Sequence, residues 1–216
     1  MKTVSITDKE LINGMPRCVY ENPVYVVEVM SRVRAAVAVL KRAAIVGFDT
    51  ETRPNFRRSD HHKIALIQLA TKYECFLFRT CAIGIPDILK NYLEDSSCVK
   101  VGLSLHDDFN SIRRLCPSFE PGGFIEIQDV VKQYDISDLS LQKIYAILFG
   151  KHISKSKQLS NWEADKLSVG QQQYAAIDAY SCIEIYEHLT SGAFIPEQSP
   201  YYHDIADDSN SNQSFT

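Results

Sequence analysis

The stretch Ile45-Val-Gly-Phe-Asp-Thr-Glu51 decides the fold. An apolar, β-type run ends abruptly in two carboxylates two residues apart. Alternate residues of a strand share a face, so Asp49 and Glu51 can point the same way at a strand's end. Side by side they repel, and each raises the other's pKa unless a cation sits between them. A hard divalent ion such as Mg²⁺, which takes oxygen ligands, meets that need. A second pair with this spacing, Asp8-Lys9-Glu10, follows Thr7, lacks an apolar lead-in and reads as the opening turn of a short helix.

Upstream of the acid-ended strand, residues 31–42 read as a helix with Val33, Val37 and Leu40 on one face and Ser31 as N-cap. Residues 24–29 read as a strand. Downstream, residues 52–62 make a polar loop containing Arg53, Arg57 and Arg58. Residues 63–71 and 74–79 are two β runs joined at Lys72-Tyr73, an antiparallel hairpin pattern. A helix (86–93), a strand (99–103), a helix (108–115) and a strand (124–128) follow. The remainder is helical, at 130–134, 141–148 and about 169–190, with a basic, serine-rich connector over 150–162. Adjacent strands followed by helix-separated ones imply an α/β fold, a mixed sheet with helices on its faces. The expected divisions are an N-terminal extension (1–23), a central domain (24–195) and a polar, loosely docked tail (196–216).

With 216 residues and a hydrophobic fraction of 45%, the chain has enough apolar sequence for a sizeable core. No apolar run approaches the roughly 20 residues of a membrane span, and the first residues carry no apolar signal core. An intracellular, cytoplasmic protein without a membrane partner is the expectation. The six cysteines are scattered without a C-x-x-C, which excludes a zinc ribbon or thioredoxin-type motif and points to free thiols in a reducing compartment. His61-His62 reads as part of a solvated loop. A formal net charge of −4 argues against a broad coat on duplex nucleic acid, but not against an enzyme that grips a few phosphates.

Two further acidic elements lie far along the chain. His106-Asp-Asp-Phe109 follows a buried-type strand, and a carboxylate opening a helix is stabilised there by the dipole. Gln173-Tyr-Ala-Ala-Ile-Asp-Ala-Tyr180 places Tyr174 and Asp178 four residues apart, one above the other on a helix face. Each element alone has a structural explanation in packing or capping. In this order they resemble the DEDD superfamily of 3′–5′ exonucleases, tyrosine subgroup. Lys-Ile-Ala-Leu-Ile-Gln-Leu-Ala (63–70), Val-Gly-Leu-Ser-Leu-His-Asp-Asp (101–108) and Leu-Ser-Asn-Trp-Glu (159–163) look like further blocks of that family. They are especially similar to those of ribonuclease D and the Werner syndrome exonuclease. The resemblance spans about residues 24–190.

The resemblance implies a ribonuclease H-like, mixed five-stranded sheet flanked by helices. It implies Asp49, Glu51 and Asp178 as ligands of one metal, Asp49 bridging to a second, and Asp108 as the remaining acid. Asp107 is the alternative at that last position; Asp108 is favoured because Phe109, Ile112 and Leu115 then take the apolar places after it. Glu51 and Tyr174 would act on the attacking water, and two divalent ions, Mg²⁺ or Mn²⁺, would be the cofactors. A histidine subgroup would need histidine where Gln173 stands. The implied partner is a single strand or the 3′ end of a duplex. Candidate substrate contacts are Thr50, Arg53, Lys155, Lys157 and Trp162, the last as a base-stacking platform. Two other readings stay open: RNA 3′-end trimming of the ribonuclease D kind, and a catalytically silent nucleic-acid-binding module.

Overall fold

The computed structural model describes residues 2–54 and 63–204. Arg57, Arg58 and the His61-His62 pair lie outside the described residues. The central sheet has six strands: β2 (Val24–Val27), β3 (Val46–Thr52), β4 (Ile64–Ala70), β5 (Cys75–Phe78), β6 (Lys100–Gly102) and β7 (Phe124–Glu126). Their spatial order is β2-β5-β4-β3-β6-β7. β4 runs antiparallel to both neighbours, while the β2/β5, β3/β6 and β3-side β6/β7 pairings are parallel. The sheet is therefore mixed, as expected, but it has six strands and not five. The sixth is β2, which adds alongside β5 at the edge, in register from Val24↔Cys75 to Val27↔Phe78.

Helices cover both faces. On one side pack α2 (Met30–Leu40), α4 (Asp87–Glu94) and α5 (Leu105–Leu115), around Val37, Leu40, Phe48, Leu93 and Ile112. On the other lie α6 (Ile127–Lys132), α7 (Leu141–Phe149) and the long α8 (Val169–Thr190). A single turn, α3 (Thr80–Ile83), follows β5. Burying β4 on both faces explains its unbroken apolar run, since every one of its seven residues is buried.

Local chemistry accounts for several boundaries and corrects others. α8 opens with a capping box in which Ser168 and Gln171 satisfy each other's backbone N–H groups. α2 does not use Ser31 as its cap: it starts at Met30 behind Val29, which makes no side-chain cap bond. α5 starts at Leu105, earlier than the acidic residues suggest. Its first N–H groups are met from another strand: Ser104 and Leu105 donate to the Glu126 carboxylate at 3.0 and 2.8 Å. Glu126 also caps α6, accepting from the Gln128 N–H.

The first and last described segments pack against the body. α1 (Lys9–Gly14), capped by Asp8, buries Ile12, and Val4, Ile6 and Tyr20 join the core on the α8 side. Residues 196–204, expected to be loosely docked, form a 3₁₀ turn and then β8 (Tyr202–Asp204), which pairs antiparallel with β1 (Lys2–Val4). Backbone pairing of two short segments gives each the ladder partners neither has alone. The six cysteines are free; Cys18, Cys75 and Cys182 are buried and Cys81 is exposed.

Candidate active site

Gly47 sets the depth of the site. A Cβ there would stand 1.9 Å from the Ala179 carbonyl oxygen of α8, so only glycine lets this helix lie so close to β3. Ala175, Ala176 and Ala179 present the small surface that completes the approach. Two residues beyond Gly47 stands Asp49, and one residue before Ala179 stands Asp178. The close crossing thus brings the acids of strand and helix together.

Carboxylate oxygens of Asp49, Glu51 and Asp178 all lie within 4.8 Å of one another. Asp178 is buried, and Asp49 and Glu51 are partly so. Burial is the main cause that drives all three pKa values upward, and repulsion between carboxylates adds to it at Asp49 and Glu51. Asp49 is raised well above the ordinary carboxylate range by burial and by Asp178. Glu51 rises to about 10, through burial and then Asp49, Asp178 and Asp108. Asp178 rises to about 7, held down in part by the Tyr174 hydroxyl and the charge of Lys155. Across β4, Gln68 lies in register with Asp49; it is buried, and its side-chain amide has no hydrogen-bond partner among the described residues. Three acids forced together, with Lys155 offsetting Asp178 only in part, fit a cluster that holds a hard divalent cation.

Asp108 approaches the strand acids from α5. Its carboxylate accepts the Thr50 hydroxyl, and burial followed by Asp49 raises its pKa to about 8. Asp107 is exposed. Successive helical residues point about 100° apart, and here only Asp108 turns toward the strand acids. Its oxygens are not part of the three-residue cluster, so it stands at the cluster's side. Tyr174, one turn before Asp178 on α8, donates its hydroxyl to that carboxylate. Burial and the surrounding acids push the phenol far above its usual range.

The acids open into a cleft of about 550 Å³. Leu103 and Ser104 form one wall, and Gln142, Lys155 and Gln158 line the side toward α7 and the connector. Of the expected substrate contacts, Thr50 and Lys155 line this cleft. Arg53 sits in an exposed ion pair with Glu163 at 3.5 Å. Lys157 lays its stem near Gly170 at the start of α8. Neither lines the cleft.

Trp162 is not a base-stacking platform. It is fully buried, at 0% exposure, with its ring centroid 6.0 Å from that of Tyr174. A base cannot reach a face that the core already covers. The turn carrying it is fastened at two points. Gln171 of α8 donates to the Asn161 carbonyl at 3.1 Å, and buried Arg79, beyond β5, donates to the carbonyls of Ala164 and Asp165.

Sequence reasoning passed over Ser104 and Gln158. Ser104 takes a left-handed backbone (φ 62°), and its hydroxyl accepts from Gln128 at 3.1 Å. A serine with positive φ carries no sequence signal, because the conformation is imposed by Glu126 and Gln128 from elsewhere in the chain.

A protein-family model described as 3′–5′ exonuclease matches residues 25–192. The chain belongs to this 3′–5′ exonuclease family. It is 32% identical over 152 residues to the bifunctional 3′–5′ exonuclease/ATP-dependent helicase WRN of Mus musculus, covering 67% of this chain and 11% of that protein. It is 35% identical over 161 residues to a 3′–5′ exonuclease of Arabidopsis thaliana, covering 68% of this chain and 52% of that one. The chain therefore spans about half or less of the length of these two relatives. Among solved structures, the EXO domain of Nibbler from Aedes aegypti shares the fold at a TM-score of 0.72 and 20% identity, over 82% of this chain and 94% of that one. RNase D of Escherichia coli does so at 0.67 and 21%, over 77% of this chain and 44% of that one. Among the described residues, no helix is long and apolar enough to cross a membrane.

Proposed function

We propose that the chain is a metal-dependent 3′–5′ exonuclease that removes nucleoside 5′-monophosphates singly from the 3′ end of a nucleic-acid strand. The observation that carries this reading is the meeting of Asp49, Glu51 and Asp178 within 4.8 Å, in a cleft, with raised pKa values. Residues 24–195 form the catalytic unit, with 1–23 and 196–216 as its flanks.

Asp49, Glu51 and Asp178 would hold one divalent ion, and Asp49 with Asp108 a second, Mg²⁺ or Mn²⁺ in each case. Bound there, such ions supply charge neutralisation at the scissile phosphate and make water acidic enough to attack at neutral pH. The side chains do the positioning. The Tyr174 phenol stays protonated and, with its proton given to Asp178, its oxygen can accept a hydrogen bond from the attacking water. Glu51 accepts a hydrogen bond from the same water. Water adds to phosphorus, the bond from phosphorus to the 3′ oxygen of the preceding nucleotide breaks, and that oxygen takes up a proton. Lys155, on the cleft wall, offers a cationic side chain for a backbone phosphate. Thr50 orders the Asp108 carboxylate.

All four carboxylates are present, which favours an active enzyme over a silent module. RNA and DNA are both to be tested, since similar proteins include the WRN exonuclease and a Trypanosoma brucei RNase D solved in complex with RNA U12. The test is to incubate 5′-labelled single-stranded DNA, RNA and 3′-recessed duplex with Mg²⁺ or Mn²⁺ and resolve the products. A ladder shortening from free but not blocked 3′ ends is expected, abolished by chelator and by Asp49→Ala or Asp178→Ala. Equal trimming by Asp49→Ala would overturn the assignment.

A further inference from the structure

A second hollow, of about 360 Å³, adjoins the acidic cleft. Both are lined by Ser140, Gln142, Ile153 and Lys155, so the two hollows adjoin across a shared wall. The far wall of the second is α1, which contributes Lys9, Ile12 and Asn13. α1 lies before residue 25, where the match to the exonuclease family begins. The family reading therefore leaves this wall without a role.

The hollow is built, not incidental. The chain just after α1 is laced to the connector: His152 donates its backbone N–H to the Pro16 carbonyl at 3.0 Å, Cys18 donates to the His152 carbonyl at 2.9 Å, and Nδ1 of the His152 ring lies 2.8 Å from the Met15 carbonyl. The buried side chain of Ile12 anchors the helix from below. Gln142 donates to the Ile153 carbonyl at 2.6 Å and fixes the shared wall.

The charged side chains that line the second hollow are all cationic. Lys9, Lys143 and Lys155 all line the second hollow. Lys143 is compensated by Asp138 at 2.7 Å, and that aspartate is also tied to the Ile6 N–H. Lys9 and Lys155 have no ion-pair partner among the described residues, and both are exposed. Asp8 is turned into α1 as its cap, accepting from Glu10 and Leu11. Glu10 projects about 100° around the helix from Lys9.

We propose that the hollow walled by α1, α7 and the connector is the track for the upstream part of a single strand whose 3′ end lies among the acids, with Lys9 and Asn13 meeting its backbone phosphates. This rests on the exonuclease reading and deepens it. The first phosphates upstream pass Lys155, on the shared wall, and the next reach Lys9. A groove lined by Lys9, Asn13 and Lys155 suits backbone contact, which does not read sequence. The N-terminal segment is thus a substrate-holding device that sets how firmly long strands bind.

The test uses the full chain and two readouts. Affinity is measured by fluorescence anisotropy on a long single strand whose terminal linkage resists hydrolysis, across a salt series; cleavage is measured on a dinucleotide, too short to reach α1. Lys9→Gln is expected to weaken long-strand binding several-fold and to lower the slope of log affinity against log salt by about 0.7, the share of one phosphate contact on a single strand. Asn13→Ala should weaken binding with the slope unchanged. Dinucleotide cleavage should match the parent for both, and Lys41→Gln, at the opposite end of β3, should change neither readout. Parental affinity and slope in Lys9→Gln overturn the track, as does an equal loss in Lys41→Gln or a matching loss on the dinucleotide. A parent that binds long strands but cuts neither substrate with Mg²⁺ or Mn²⁺ sinks the exonuclease reading instead, while the Lys9→Gln binding result still decides the track.

Discussion

The rings of Trp162 and Tyr174 pack with centroids 6.0 Å apart, and the indole is wholly enclosed. The side chain proposed to orient water is thus backed by the largest buried side chain of the core. The Trp162 indole Nε1 has no hydrogen-bond partner among the described residues, so its role there is shape. Trp162→Phe strands no polar group but leaves space behind the phenol. Expected is a fall in kcat of about tenfold with KM unchanged, equivalent to about 1.4 kcal/mol of lost transition-state positioning. In the Tyr174→Phe background the same change should have little further effect. Additive losses in the double variant would reject the link.

Gly47→Ala is expected to be far more disruptive than a methyl group usually is. Its Cβ would run into the Ala179 carbonyl, a backbone atom that moves only if α8 moves. Overpacking of this kind costs about 1–3 kcal/mol. Because Asp178 rides on the same helix, activity should fall further than folded content, as judged by circular dichroism beside the nuclease assay. A fully active Gly47→Ala enzyme would mean that the crossing tolerates more slack than described.

Asp107→Asn and Asp108→Asn form a matched pair. Asp107 is exposed, whereas Asp108 accepts the Thr50 hydroxyl beside the strand acids. Most activity should vanish in the second and persist in the first. Rates in the reverse order would transfer the role to Asp107.

Stability of the metal-free protein should decline with rising pH. Unfolded carboxyls titrate near about 4, whereas Asp178 and Asp108 in the folded chain titrate at about 7 and about 8, raised mainly by burial. The folded state therefore holds more protons between these limits, and its advantage is lost as pH climbs through them. With chelator present, Tm should drop from about pH 5 to about pH 8. Mn²⁺, binding the deprotonated acids, should flatten that fall. A Tm that rises over this window without metal would contradict the crowding of the acids.

Arg79→Met tests the fastening of the Trp162 turn. Arg79 is 3% exposed and serves the carbonyls of Ala164 and Asp165 while pairing with Glu28 at 3.0 Å. Each hydrogen bond lost from the charged guanidinium costs about 1.5–3 kcal/mol. A lower denaturant midpoint together with reduced kcat is expected; loss of stability with kcat intact would show that the turn does not govern Tyr174.

Much of this was legible in the chain because it is written in local terms. The run ending in Asp49 and Glu51, the hairpin around Lys72-Tyr73 and the i, i+4 pair Tyr174 and Asp178 depend on strand alternation and helical repeat, which neighbours in sequence set. The order of the blocks carried the family. What sequence left open depends on partners distant along the chain: α5 begins early because Glu126 caps it, the strand read at 24–29 joins the sheet beside β5 and makes it six-stranded where the resemblance implied five, and residues 202–204 are held by β1.

By itself the sequence determined which residues carry charge, which faces are apolar and which acids could share a strand or helix face. Only the tertiary structure decided that Asp49, Glu51 and Asp178 meet, that Asp108 and not Asp107 turns inward, that Trp162 supports Tyr174 from inside the core, and that α1 walls the neighbouring hollow. The reason is physical. Periodicity fixes direction within one element, whereas distance between elements is set by how closely backbones pack, here by Gly47 against Ala179.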